Sequence, residues 1–345
     1  MTETATRDLE AARRGDGDAF ARLVAPHRRE LHAHCYRLLG SVHDAEDALQ
    51  DALVGAWRGL AGFEGRSSLR SWLYRIATNA ALRLSERRPQ RLAPVDRAPS
   101  RTTVRDLGEP VTEAVFVEPY PDAELADWTG RADPEARYEL RESVELAFVA
   151  ALQTLPATQR AVLVLRDVLA IPAAEVAEAL DTSVPAVNSA LQRARAGVDG
   201  RTGESTQQAT LAALGDDGRR ELVDALVGAW EQRDVDRIVD LLAEDVRLTM
   251  APLPAWFDGR EAVTRFFTER MFEQPWRIVA TSANCQPALG CYMRDDAGRF
   301  PLSGVVVVSV RPAAGGGAEV TALDSFLDPA LHPLFELAPD VTPPG

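Results

Sequence analysis

The stretch that decides the reading runs from Tyr36 to Arg88: YRLLGSVHDAEDALQDALVGAWRGLAGFEGRSSLRSWLYRIATNAALRLSERR. Ala45, Ala48, Leu49, Ala52, Leu53, Ala56, Trp57 and Leu60 recur at helical spacing and predict an amphipathic helix with one apolar stripe. Asp44, Glu46, Asp47, Gln50 and Asp51 fall mostly off that stripe and form an acidic face. Phe63 to Gly65 breaks the pattern, and Ser67 or Ser68 can cap the next helix by accepting a bond from a free backbone N–H. In that second helix Leu69, Trp72, Leu73, Ile76, Ala80 and Leu84 are expected inside. Arg70, Tyr74, Arg75, Asn79, Arg83, Arg87 and Arg88 are expected outside. An acidic helix beside a basic, aromatic-studded one suits a module that docks on a positive protein surface and holds nucleic acid on its other side. Arginines neutralise phosphates, and rings offer faces on which unpaired bases stack.

Residues 36–88 resemble region 2 of the extracytoplasmic-function (ECF) sigma factors of bacterial RNA polymerase. The matching words are DAEDALQDAL (44–53), the spacing from Trp57 to Phe63, and SSLRSWLYRIATNAAL (67–82). The resemblance implies that Asp44, Glu46, Asp47, Gln50 and Asp51 dock on the clamp helices of the core enzyme's β′ subunit. It assigns the downstream promoter element to Phe63, Arg66, Ser67, Arg70, Tyr74, Arg75, Asn79, Arg83 and Arg87, with one base flipped out of the stack into a protein pocket. The polymerase would do the phosphoryl chemistry, so no catalytic residue and no cofactor is expected in this chain.

Outward from this stretch, the 345 residues are enough for two or three domains. A hydrophobic share of 46% and a charged share of 26% are those of an ordinary globular protein. The net charge of −14 excludes a wholly basic nucleic-acid binder, so DNA contacts must rest on local patches or on a partner's positive field. All 38 basic residues are arginine, as codon bias in a GC-rich genome would give. Cys35, Cys285 and Cys291 are scattered without metal-ligand spacing, which supports neither a disulfide framework nor a metal site. The polar N-terminus is unlike a signal peptide, and no apolar run reaches the roughly 20 residues that span a bilayer. A cytoplasmic protein without membrane contact is expected.

Residues 1–35 read as helices with a break at Arg13–Asp16, and GDGDAFARLVAPHRRELHAHCYRLLG is similar to the family's opening helices. His27, His32 and His34 are expected at the surface. Prolines 89, 94, 99, 110, 119, 121 and 134 interrupt any helix between 89 and 134. That segment reads as an acidic, solvated tether with a short ordered insert at 114–122. In the family this linker threads the polymerase cleft and RNA exit path, and EPYPD (118–122) resembles a linker motif of sigma-G-type ECF factors that carry an extra C-terminal domain.

Leu140 to Leu155 is expected as one helix, Pro156 opens the next, and 161–169 is apolar nearly all round. Pro172–Leu180, a turn at Asp181–Ser183 and a helix from Val184 to about Val198 have helix-turn-helix spacing. Val184, Val187, Leu191 and Ala194 are expected inside. Pro185, Ala186, Asn188, Ser189, Gln192, Arg193 and Arg195 are expected outside, where amide and guanidinium groups can read base edges. LPATQRAVLVLRDVL and VPAVNSALQRARAGV resemble sigma region 4, which implies that these seven residues read the upstream promoter element.

After a second linker (201–215), helices are expected near 221–230, 235–242 and 259–267. Strands are expected at 245–250, 276–285, 288–294, 302–311 and 318–327. Helices followed by a curved antiparallel sheet make an α+β cone. AEDVRLTMAPLPAWFDGREAVTRFF is similar to the SnoaL-like branch of the NTF2-like fold. Trp256, Asp258 and Asp324 are candidates for a pocket there, and Asp245 and His332 are further ionisable groups. The fold hosts both cyclases and non-catalytic binders.

The fold expected is therefore multidomain, with two all-α sigma domains followed by an α+β NTF2-like cone. Its parts are region 2 (1–92), an acidic linker (93–134), region 4 (135–200), a short linker (201–215), the SnoaL-like domain (216–335) and a tail (336–345). The function expected is promoter recognition and melting with core RNA polymerase (β′ clamp helices and β flap), with a regulatory tail that takes a small-molecule ligand or an anti-sigma partner. Two other classes remain open: a one-component helix-turn-helix regulator with a ligand-binding tail, and a cyclase or isomerase with a DNA-binding appendage.

Overall fold

The chain is described from a computed structural model that covers residues 3–65, 67–113, 115–125, 134–199 and 206–341. Short polar side chains set the first helices. α1 (Glu3–Arg13) is followed by α2 (Gly17–Val24), where Asp16 accepts the Ala19 N–H at 3.0 Å. α3 (Arg28–Leu39) stops at Gly40, whose left-handed φ of 68° suits glycine. A Cβ there would also lie 2.9 Å from the Gln153 side chain. Ser41 caps α4 (Val42–Gly59) and Ser68 caps α5 (Leu69–Ser85), each by accepting the amide three residues on.

α3 is buried continuously from Glu30 to Leu39 because other helices cover it on more than one side. The expectation of surface histidines therefore fails at two positions. His32 is buried and His34 is fully so, with Nε2 2.8 Å from Thr78 Oγ1 and the ring edge-on to Tyr74. Burial pushes the His34 imidazole down to about 3 and keeps it neutral.

The chain forms two compact units. The first holds the described parts of 1–90, 124–133 and 149–201, so the region 2 helices and the helix-turn-helix lie in one body. α8 (Ala157–Leu163), opened by Pro156, runs into a π-helical turn at Val164–Val168. α9 (Ala173–Ala179) and α10 (Val184–Val198) complete the motif. Ser183 caps α10, and Val187, Ala190, Leu191 and Ala194 are its buried side. Val184 was expected inside but is 39% exposed.

The second unit holds the described parts of 91–123, 134–148 and 202–345. The single helix expected over 140–155 is two: α6 (Pro134–Glu142) and α7 (Leu146–Gln153). Between them Ser143 Oγ donates back to Leu140 O at 2.6 Å. Val144 O accepts from Asn284 Nδ2 at 2.7 Å, and the Glu145 carboxylate accepts the Gln208 amide at 2.8 Å. These groups serve other elements, so the helix ends. The linker expected over 201–215 is likewise shorter, since α11 (Gln207–Gln232) is helical from Gln207 and kinks at Gly215.

α12 (Val235–Leu241), β1 (Leu242–Ala251), β2 (Trp256–Asp258) and α13 (Arg260–Glu269) follow. Then come β3 (Trp276–Ala283), β4 (Gln286–Met293), β5 (Phe300–Pro312), β6 (Ala318–Phe326) and β7 (Asp340–Val341). The strand order is β2-β1-β6-β5-β4-β3, with β7 on β5. The sheet was expected to be antiparallel, but β1 and β6 pair in parallel. No hairpin joins those two strands, so no turn dictates their direction. Trp230, Leu248, Phe257, Phe267, Leu289, Val306 and Leu323 form the core between the helices and one face of the sheet.

Candidate functional site

Helix α5 carries the expected downstream reader. Arg83 and Arg87 are exposed, and Ser67 is exposed in the preceding loop; Arg66 lies outside the described residues. Tyr74 corrects the sequence reading. Its ring is 1% exposed inside the bundle and its hydroxyl donates to Glu30 Oε2 at 3.3 Å, so it is a core residue rather than a stacking face. Arg70 reaches the same carboxylate with Nε at 2.9 Å, and His27 Nδ1 lies 2.6 Å from its other oxygen. Burial alone would raise the Glu30 carboxyl; the His27 hydrogen bond and the Arg70 charge outweigh it and hold it below the ordinary range. Glu30 was not singled out in the sequence, and His27 was expected only as a surface histidine; neither was read as a partner of Arg70.

Phe63 is also buried, with its ring 5.0 Å from that of Trp72, and its carbonyl accepts from Arg13 Nη2. Arg75 Nη1 meets Glu178 Oε1 at 3.3 Å, and Asn79 Nδ2 donates to Ala179 O at 3.4 Å. Both partners belong to α9, the first helix of the helix-turn-helix, or to its end. The two groups expected to face DNA near the middle of α5 are therefore engaged by the helix-turn-helix.

On α4, Asp47, Gln50 and Asp51 are exposed and Glu46 is half-buried. Asp44 corrects the expectation: it is 5% exposed in the first turn, with Arg88 Nε 3.6 Å away. Trp57 was expected inside but is 37% exposed, edge-on to Phe20, and Val54 is 49% exposed. The acidic face thus borders two apolar side chains. On α10, Pro185, Ala186, Asn188, Ser189, Gln192, Arg193 and Arg195 are all exposed. Arg195 makes a two-pronged pair with Asp167, both bonds 2.8 Å.

The linker expected as a solvated tether is folded onto the sheet domain. Leu92 and Val115–Val117 form a short parallel bridge, and Arg91 pairs with Glu118 at 2.6 Å. Tyr120 is fully buried; its amide donates to Asn284 Oδ1 at 2.8 Å and its carbonyl accepts the Asn284 amide at 2.8 Å. Asp122 Oδ1 accepts the Cys285 amide at 2.8 Å. Asn284 and Cys285 form the two-residue turn between β3 and β4, and both have positive φ (56° and 57°). Such a turn favours asparagine. Further back, Trp256 Nε1 donates to Ala98 O at 2.7 Å, the Arg101 amide to Trp256 O at 2.8 Å and the Val111 amide to Pro252 O at 3.0 Å. Val104 is buried in the domain's core.

Trp256, Asp258 and Asp324 share one sheet face, because Thr249 pairs with both Trp256 and Asp324 while Leu248, Phe257 and Leu323 point the other way into the core. Asp258 is exposed. Asp324 accepts from Thr249 Oγ1 at 2.9 Å, and burial raises its carboxyl. The three residues therefore do not line the helix-backed interior. Among the described residues no group of three or more His, Cys, Asp or Glu side chains is placed to hold a metal ion, and no helix is long and apolar enough to cross a membrane.

Comparison with known proteins adds to this geometry. Three family models match: Sigma-70 region 2 over residues 23–90, Sigma-70 region 4 over 145–196, and the SnoaL-like domain over 223–322. The ECF RNA polymerase sigma factor SigG of Mycobacterium tuberculosis is 40% identical over 342 residues, 98% of this chain and 88% of SigG. The chain belongs to the ECF RNA polymerase sigma factors. A shorter sigma factor, SigW of Bacillus subtilis, is 27% identical over 54% of this chain and 90% of its own. The crystal structure of the Mycobacterium tuberculosis ECF sigma factor SigJ shares the fold, with a TM-score of 0.55 and 24% identity over 92% of this chain and 99% of that one.

Within this sigma factor the region 2 match takes in α3, α4 and α5, and the region 4 match takes in α7 to α10. α1 and most of α2 precede the region 2 match. The linker between the two DNA-binding regions docks on the SnoaL-like domain, through the EPYPD word and through residues 98–111. Asn284 escaped the sequence reading because only its place in a hairpin turn, opposite a distant segment, gives it a role.

Proposed function

We propose that this sigma factor is controlled in cis by its SnoaL-like domain, which holds the linker between regions 2 and 4 and so restrains the two promoter readers. The observation that carries this is the docking of residues 92–122: Tyr120 on Asn284, Asp122 on Cys285 and Ala98–Arg101 on Trp256. A linker bonded to the tail cannot at the same time thread the cleft of core RNA polymerase. Binding to core and holding of the linker are then competing states, and the chain activates when the linker leaves the sheet domain.

In the active state Asp47, Gln50 and Asp51, with Trp57 and Val54 beside them, meet the clamp of core polymerase, and Asp44 sets the helix start. The loop from Phe63 to Ser68 and the exposed side of α5 (Arg75, Asn79, Arg83, Arg87) hold the melted downstream strand. Arg75 and Asn79 must first leave Glu178 and Ala179. The exposed row from Pro185 to Arg195 reads the upstream element in the major groove. Such a protein works where core polymerase and chromosome are, in the cytoplasm. The SnoaL-like domain acts by binding rather than by catalysis, since its carboxylates Asp258 and Asp324 lie away from the helix-backed interior. A ligand or anti-sigma partner that competes for the Asn284 turn would release the linker.

Run-off transcription with core polymerase, comparing the full chain with one lacking residues 206–345, tests the proposal. More transcript from the shortened chain supports restraint, whereas equal transcript from both removes it.

A further inference from the structure

The β3–β4 turn that receives the linker is braced by groups that do not belong to the linker. Asn284 Nδ2 donates to Val144 O at 2.7 Å, Gln208 Nε2 donates to Cys285 O at 3.0 Å, and Gln286 Oε1 accepts the Leu146 amide at 2.9 Å. Asn284 and Gln286 are both buried. These braces aim Asn284 Oδ1, the Asn284 amide and the Cys285 amide without help from residues 120–122. What the turn reads in its present occupant is short. The Tyr120 amide and carbonyl each bond Asn284 at 2.8 Å, and the tyrosine is fully buried. Pro121 pairs with Ala283 as an antiparallel bridge. Asp122 Oδ1 accepts the Cys285 amide at 2.8 Å, and the Ser282 side chain bonds the same carboxylate. Pro119 and Pro121 flank Tyr120, which fixes two φ angles and confines Glu118 and Tyr120 to extended backbone. A segment so restricted has little further freedom to lose on docking.

We propose that the Asn284 turn is a peptide-recognition site for an extended aromatic–Pro–acid segment, and that a regulatory protein presenting such a segment takes the turn in trans in exchange for the chain's own linker. The mode is strand addition at the end of β3. Main-chain bonds to Asn284 give the hold, while the buried ring and the carboxylate at Cys285 give the selectivity. The incoming segment makes the bonds that residues 120–122 make now, so the exchange leaves no group of the turn unpaired. Its cost is competition with a tethered copy, which a partner overcomes by concentration or by further contacts of its own. The release of the promoter readers that follows rests on the restraint proposed above; the peptide site does not.

The test uses the full chain and a fluorescent peptide of residues 115–123, VFVEPYPDA, with binding read by anisotropy. A chain carrying Tyr120→Ala and Asp122→Ala, shown by circular dichroism to be folded, has lost its own occupant and should bind the peptide. The wild-type chain should bind it about tenfold more weakly, as expected of a site that is open about a tenth of the time. A peptide with alanine in place of Asp122 should lose about tenfold, the scale of one hydrogen bond to a charged group. Adding Asn284→Ala to the emptied chain should abolish binding. The wild-type chain gives a second reading that needs no substitution: saturating peptide should quicken hydrogen exchange at its own Tyr120 amide. No binding by the folded, emptied chain overturns the inference, and so does binding that Asn284→Ala leaves intact. Run-off transcription with core polymerase separates this site from the restraint. Peptide held at the turn with more transcript supports both, whereas peptide held there with no added transcript leaves the site standing and removes the restraint.

Discussion

The Asn284 side chain and amide bracket Tyr120. Asn284 Oδ1 accepts the Tyr120 amide at 2.8 Å, and the Asn284 amide donates to the Tyr120 carbonyl at 2.8 Å. Asn284 Nδ2 also donates to Val144 O at 2.7 Å, so one fully buried side chain ties the linker and the segment before α7 to the same turn.

Asn284→Ala removes the Oδ1 bond to the Tyr120 amide and the Nδ2 bond to the Val144 carbonyl, and puts alanine at a φ of 56°. Of these, the Tyr120 bond holds the linker, so its docking should weaken by about 1–3 kcal/mol. Hydrogen exchange at the Tyr120 amide should quicken and protease cutting within 93–121 should rise. Unchanged protection there would mean that other contacts hold the linker.

Glu178→Ala frees Arg75 from its partner on α9. The pair is exposed, so stability should change by less than about 1 kcal/mol. Affinity for a single-stranded downstream-element oligonucleotide, read by fluorescence anisotropy, should rise by about two- to fivefold on the same energy scale. No rise would show that Arg75 reaches DNA without leaving Glu178.

Glu145 sets a pH dependence. Burial pushes its carboxyl up to about 7, while the Gln208 and Gln207 amides pull the other way. Nearby Glu142 raises it further. Because the folded value exceeds the unfolded one, the stabilising contribution is present below about pH 4.5 and is lost as pH rises through about 7. The full swing is on the order of 3 kcal/mol. Glu145→Gln keeps an acceptor for Gln208 and carries no charge. It should raise the melting temperature at pH 8 and leave it nearly unchanged at pH 5. Equal effects at both values would refute the assignment.

Much of this was legible in the sequence because periodicity and capping are local. The α4 and α5 stripes, the Ser68 and Ser183 caps, the helix-turn-helix spacing and the strands after 276 all depend on neighbours within a few residues. Tyr74, His34 and Asp44 were misplaced because α3 and the ends of its neighbours are enclosed from several sides, and a polar side chain carries no local sign of that. The linker misled for the opposite reason. Its prolines and acids read as coil, while Val104, Val115, Phe116, Val117 and Tyr120 are too irregularly spaced to show a face. Val104 finds its place only in the core of the sheet domain, and Tyr120 only at the Asn284 turn, both formed more than a hundred residues later.

The most direct test of restraint by the docked linker is run-off transcription with core RNA polymerase, comparing wild-type protein with Asn284→Ala, each shown by circular dichroism to be folded. Release of the linker should give more promoter-specific transcript from the variant at equal protein concentration. Equal or lower transcript from the folded variant would contradict control through this contact.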